Sequence, residues 1–176
     1  KMTVEVADLV LKDNYLQSQA ISNVQAQGSE GFDSQVRLMR ALEREGHLNR
    51  AVEFLPDDDT VAERTVAKHG LTRPELAVLM SYSKIWLYDQ LLNSDLPDDP
   101  SLIGDLVRYF PSLLGKKYGK DIQNHRLRRE IIATVVTNSM VNRVGGTFVH
   151  EFAEKTGMAP SEIAAAYVIA RQVFGL

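Results

Sequence analysis

The densest concentration of side chains able to do chemistry is the run Lys116, Lys117, Lys120, His125, Arg126, Arg128 and Arg129, set against the single acid Asp121. Clustered cations of this kind attract phosphates, although Tyr118 is the only aromatic ring interleaved with them. A solvated or interface face accounts for the same pattern, with Arg128 and Arg129 reaching Glu130 or other acids. Downstream, Thr134, Asn138 and Asn142 recur at every fourth position, with Arg143 adjacent. On a helix they form one polar stripe, which suits either a ligand pocket or hydrogen bonding between helices. Arg126, Arg129, Thr134, Asn138 and Asn142 are therefore the candidate contacts for a small effector or anion.

Two further groups resemble metal sites and fall short of them. His150 and Glu154 lie one helical turn apart, but the second histidine of a zinc-binding helix is missing. Asp57, Asp58 and Asp59 lack the spacing, central glycine and distal glutamate of a calcium loop. The plainer reading is that one of them, or Thr60, caps a helix over Val61–His69, with negative charge at its positive end. Neither a glycine-rich dinucleotide fingerprint, a phosphate-binding loop nor a nucleophile elbow occurs. The residues thus assign no catalytic, cofactor-binding or metal role.

The elements positioning these groups read as helices throughout. Leu71–Pro100 holds the only tryptophan and the densest apolar run, and Thr72 with Glu75 spells a capping box with Pro74 in the first turn. Apolar residues surround most of its circumference, so it is the expected central helix, with Lys84, Asp89 and Gln90 facing water. Val4–Gln27 predicts a long helix whose inner side carries Val6, Leu9, Val10, Leu16, Ala20 and Val24, with a second strip of Val4, Leu11 and Tyr15 opposite. That second strip suggests a second partner, another domain or a neighbouring subunit. Further helices are expected over 33–45, 99–110, 120–144, 147–157 and 160–174, the last with Ile163, Ala166, Tyr167, Ala170, Val173 and Phe174 recurring at three and four. An extended link is expected at His47–Leu55 and an irregular crossing at Leu113–Gly119. The fold class is all-α: an irregular orthogonal array of about seven or eight helices, two of them long, in one domain over residues 1–176.

A chain of 176 residues with net charge −3 is long enough for one substantial core, and its charge disfavours a general attraction to nucleic acid or anionic lipid. The absence of cysteine removes disulfides and thiolate metal sites. With no leader or membrane-length apolar stretch, the chain reads as cytoplasmic, without nucleic-acid or membrane partners. It opens on Lys1 rather than methionine and turns helical almost at once, as a piece of something longer would.

Four stretches carry a family resemblance: LKDNYLQSQAIS (11–22), LMRALEREGHLNRAVEFLPDDD (38–59), GLTRPELAVLMSYSKIWLYDQLLNSDLPDDP (70–100) and HRLRREIIATVVTNSMVNRVGGTFVHEFAEKTG (125–157). In order and spacing they resemble the extreme C-terminal region of the large bacterial NAD-dependent glutamate dehydrogenases. The resemblance implies a much longer polypeptide, with the catalytic and dinucleotide domains upstream and residues 1–27 as a linking helix. It implies oxidative deamination of L-glutamate to 2-oxoglutarate and ammonia, NAD as the cofactor of the parent and none in this segment, and a homo-oligomeric parent. The segment then serves structure and assembly; a regulatory ligand-binding module is the first alternative, and a helical nucleic-acid adaptor a more distant one.

Overall fold

The computed structural model describes residues 2–175, so Lys1 of the expected linking helix lies outside the described residues. Among the described residues nine α-helices follow in order: α1 (Met2–Ala26), α2 (Phe32–Arg44), α3 (Asp58–Ala67), α4 (Arg73–Leu92), α5 (Ile103–Tyr109), α6 (Ser112–Gln123), α7 (Arg128–Val144), α8 (Phe148–Thr156) and α9 (Pro160–Phe174). Two single-turn 3-10 helices, Leu96–Asp98 and Pro100–Leu102, link α4 to α5, and no strand occurs among the described residues.

The centre is α4, which packs against α1, α2, α7 and α9. Its start is the expected capping box: the Glu75 carboxylate accepts the Thr72 backbone N–H at 2.7 Å, with Pro74 in the first turn. Leu76, Leu79, Met80, Trp86, Leu87 and Leu91 are all buried along it. They meet Ile132, Val136, Met140 and Val141 of α7 and Ile163, Ala164 and Val168 of α9 in one continuous core. Each fully buried aliphatic side chain contributes about 1.5–3 kcal/mol. The turn between α7 and α8 sits directly on α4, because a Cβ at Gly146 would come within 2.7 Å of the buried Ser83 hydroxyl.

Several expectations are corrected by this packing. The helix expected over 120–144 is broken at 124–127, and helix α6 occupies most of the stretch expected to be irregular, with a kink at Tyr118 (φ −121°, ψ 26°). At the break His125 Nδ1 accepts the Leu127 amide at 3.1 Å and Asn124 Nδ2 donates back to the Lys120 carbonyl at 3.0 Å, satisfying backbone groups outside a helical ladder. The second long helix is consequently α4, with 20 residues, beside α1 with 25. The expected extended link at 47–55 is a tight turn, since Asn49 Oδ1 accepts both Ala51 N and Val52 N and Phe54 is left-handed at φ 53°. Helix α3 begins at Asp58 rather than Val61, with Asp57 as its cap.

Exposure also departs from the periodic reading. On α4 Ile85 is exposed and Lys84 half-buried, which burial answers by lowering the Lys84 pKa against the opposing pull of Asp13. Ala166, Val173 and Phe174 lie on the open side of α9. On α1 only Ala20 is buried; Val6, Leu9 and Val10 are exposed together with the opposite strip, because the core covers only the C-terminal part of that helix.

Candidate functional site

The basic run is divided by the break before α7, and the division decides what its members do. Arg128 Nη2 reaches Asp98 Oδ1 at 2.7 Å, while Arg129 pairs with the same carboxylate. Arg129 Nη2 also donates to the carbonyls of Leu92 and Ser94, each at 2.9 Å. These are the last carbonyls of α4 and its turn, so the guanidinium caps the negative end of the central helix. The acid it meets is thus Asp98, not Glu130. Arg126 stands exposed in the 124–127 loop without a partner among the described residues.

The polar stripe on α7 is likewise divided. Thr134 Oγ1 donates to the Glu130 carbonyl at 2.8 Å within its own helix. Asn142, at the other end, lines a cleft of about 480 Å³ between the end of α1, the start of α2, α4 and the α7–α8 turn; Thr134 and Asn138 do not line it. The Asn142 Oδ1 atom is buried and has no hydrogen-bond partner among the described residues. Gln35, which lines the same cleft from α2, is in the same condition at Oε1 and is only 3% exposed. Sequence reasoning missed Gln35: a lone glutamine on an amphipathic helix reads as surface.

His150 and Glu154 serve packing. The imidazole stands edge-on to Trp86 with ring centroids 6.5 Å apart, and its Nδ1 is 3.6 Å from Glu154 Oε2. The same carboxylate accepts Arg37 Nε at 3.0 Å, which ties α8 to α2, and Trp86 Nε1 donates to Glu45 at 2.9 Å. No group of three or more histidine, cysteine or acidic residues among the described residues is placed to hold a metal ion. The aspartate run caps α3: Asp57 Oδ1 accepts Thr60 N at 2.8 Å, and hydrogen bonding from the Thr60 side chain and then its backbone lowers the Asp57 pKa. Asp58 takes hydrogen bonds from Arg50 at 3.1 Å and Arg40 at 3.0 Å, which lower its pKa in turn.

Two ion pairs hold elements together in partly dry surroundings. Arg64 donates both Nη atoms to Glu75, at 2.7 and 3.0 Å, joining α3 to α4. Burial alone would raise the Glu75 pKa, but the Arg64 and Thr72 hydrogen bonds outweigh it and the net shift is downward. Asp105 of α5, 5% exposed, pairs with Arg171 of α9, whose Nη1 also reaches Ser139 Oγ at 3.2 Å.

The strip of Val4, Leu11 and Tyr15 is the remaining predicted site. These side chains are 62%, 66% and 65% exposed, on the part of α1 that the core does not cover. Near that end the helix is tethered by Glu5, whose carboxylate accepts the Ser112 backbone N–H at 2.6 Å and so caps α6.

A single helical core, several side-chain charges committed to caps and inter-helix pairs, and one helix with an open apolar flank make up the described residues. Residues 68–176 match the model of the family described as glutamate dehydrogenase, C-terminal, and the chain belongs to that family. It is also similar to three relatives named NAD-specific glutamate dehydrogenase. Identity is 50% over 176 residues with the protein of Pseudomonas aeruginosa, covering 100% of this chain. It is 44% over 175 residues with that of Halomonas elongata and 36% over 175 residues with that of Mycobacterium tuberculosis, each covering 99% of this chain. The chain spans 11% of the length of each of these relatives.

Proposed function

We propose that this chain is the helical structural and assembly region of an NAD-dependent glutamate dehydrogenase. The parent reaction is L-glutamate with NAD and water giving 2-oxoglutarate, ammonia and NADH, carried out by domains beyond these helices. The relatives' shared name supports the parent activity, and the match along nearly the whole chain supports the placement. Residues 1–176 act as one helical domain, with 1–27 as the linking helix to a dinucleotide-binding domain. The parent works in amino-acid catabolism in the cytoplasm as a homo-oligomer; no helix among the described residues is long and apolar enough to cross a membrane.

The observation that carries the assembly role is the open flank of α1. Val4, Leu11 and Tyr15 form an apolar strip on a helix whose other end is anchored in the core, and an exposed strip of this kind marks a contact surface. Its occupant is the catalytic part of the same polypeptide. The test is the double substitution Leu11→Ser, Tyr15→Ser in the full-length enzyme, with assembly followed by light scattering and activity by NADH absorbance. Weakened assembly and reduced turnover are expected, and an enzyme unchanged in both refutes the role. The 176-residue chain alone is expected not to reduce NAD with glutamate, and steady NADH formation by it would overturn the division of labour.

A further inference from the structure

We propose that α3 and the turn before it form a docking surface for a second copy of this chain, the two α3 helices lying antiparallel across a two-fold axis. Such a pair gives the homo-oligomer proposed above, on whose existence it rests, a surface separate from the open flank of α1. Phe54 is 89% exposed, more than any other large apolar residue among the described ones, and Val66 follows at 87%. Phe54 also holds a left-handed backbone, φ 53°, which a bulky side chain adopts only at a cost and which glycine or asparagine takes more readily. The turn that carries it is held firmly from the protein side. Leu55 N donates to the Arg50 carbonyl at 2.9 Å, Arg50 reaches Glu43 at 2.8 Å and Asp58 at 3.1 Å, and the Tyr82 hydroxyl donates to Glu53 at 2.7 Å. A strained backbone fixed in this way, with its phenyl ring in solvent, is a pre-organised aromatic anchor.

The surface is complementary to itself. Among the ten residues of α3 only Val61 is buried. Exposed Ala62 and Val66 stand one helical turn apart, on the same side as Asp59. Charge divides along the helix: Asp59 lies in its first turn, Lys68 and His69 at its end, all three exposed and without an ion pair among the described residues. An antiparallel pair sets the acidic start of each helix, next to Phe54, against the basic end of the other, next to Val66, and opposes the two helix dipoles. A parallel pair would set like charges together instead. Ala62, Thr65 and Lys68 also line a cleft of about 680 Å³ between α2 and α3, which leaves room for the phenyl ring of the facing copy. Two-fold symmetry makes each of these contacts twice and closes the assembly at two chains.

The test is sedimentation velocity of the 176-residue chain over about 10–500 μM at low and high salt, in the Leu11→Ser, Tyr15→Ser background so that the α1 flank contributes nothing. A monomer–dimer equilibrium is expected, weakened at least about threefold by high salt. Phe54→Asn, which suits a left-handed backbone better, is expected to weaken dimerisation about tenfold or more while the Tm of the monomer holds or rises. Asp59→Lys and Lys68→Glu are each expected to weaken the dimer about tenfold, and the two together to restore it, because both contacts are then reversed in sign. A chain that stays monomeric throughout, undiminished dimerisation in a folded Phe54→Asn, or a double reversal no tighter than the single ones would each overturn the surface. A monomeric 176-residue chain beside a full-length enzyme that is oligomeric by light scattering would sink this surface alone and leave the parent's oligomer standing.

Discussion

Replacing Asp105 by Asn tests the most buried charge pair in the fold. The Asp105 side chain is 6% exposed and that of Arg171 is 11%, and they join α5 to α9 across the end of α7. Asn keeps the shape and one acceptor oxygen at position 105 but removes the charge, leaving the Arg171 cation uncompensated in a dry setting beside the Ser139 hydroxyl at 3.2 Å. Breaking one side of a buried pair costs about 3–5 kcal/mol, most of it the penalty of the stranded cation. The second partner of Asp105, Arg108 at 2.5 Å, has a side chain that is 73% exposed, so its loss adds at most about 1 kcal/mol. For a chain of this size, each kcal/mol moves the Tm by about 2–4 °C, so a fall of about 6–20 °C is expected. Urea and thermal melts of Asp105→Asn, Arg171→Met and the double variant close the cycle, and the double variant is expected to recover most of the loss. A single-variant loss under about 1 kcal/mol, or strict additivity in the cycle, would refute the reading of this pair as buried and coupled.

Two further outcomes follow from the ion pairs on α4. The Glu75 pKa is lowered in the fold, so its pair with Arg64 contributes stability that is fully present above the ordinary glutamate value and is lost as pH falls through the lowered one. The Tm difference between the wild type and Glu75→Gln is therefore expected to be largest near neutrality and to shrink in acid; a difference that does not vary with pH would contradict this. Arg129→Ala removes the cap on the end of α4 and is expected to cost about 1–3 kcal/mol in urea melts, whereas Arg126→Ala, on the exposed loop, is expected to stay within about 0.5 kcal/mol.

Local signals were legible wherever one short stretch of chain decides the outcome. The Thr72–Glu75 box, Pro74 and the aspartate cap of α3 all act within four residues; the first two stand where their spacing places them, and the aspartates do cap α3, although it starts at Asp58. Periodicity also found the core faces of α4 and α7. The break at 124–127 was hidden because it rests on an imidazole nitrogen accepting a backbone N–H, a use of His125 that its residue type does not announce. Exposure along α1 was hidden for a different reason. The apolar pattern of Val6, Leu9 and Val10 repeats as a core-facing pattern does, and the helices described here leave it open. Among the predicted site residues, Asn142 reaches the cleft, Arg129 is committed to the end of α4, and Gln35 was invisible because a buried carboxamide and a solvated one look alike in sequence.

The central claim is that the open flank of α1 is a docking surface within a larger enzyme. Amide hydrogen exchange of residues 2–16, compared between the 176-residue chain and the full-length polypeptide, tests it most directly. The account predicts fast exchange across Val4, Leu11 and Tyr15 in the short chain and protection at least tenfold stronger in the full-length one, while α4 and α7 exchange slowly in both. Equal exchange of the α1 segment in the two proteins would contradict it.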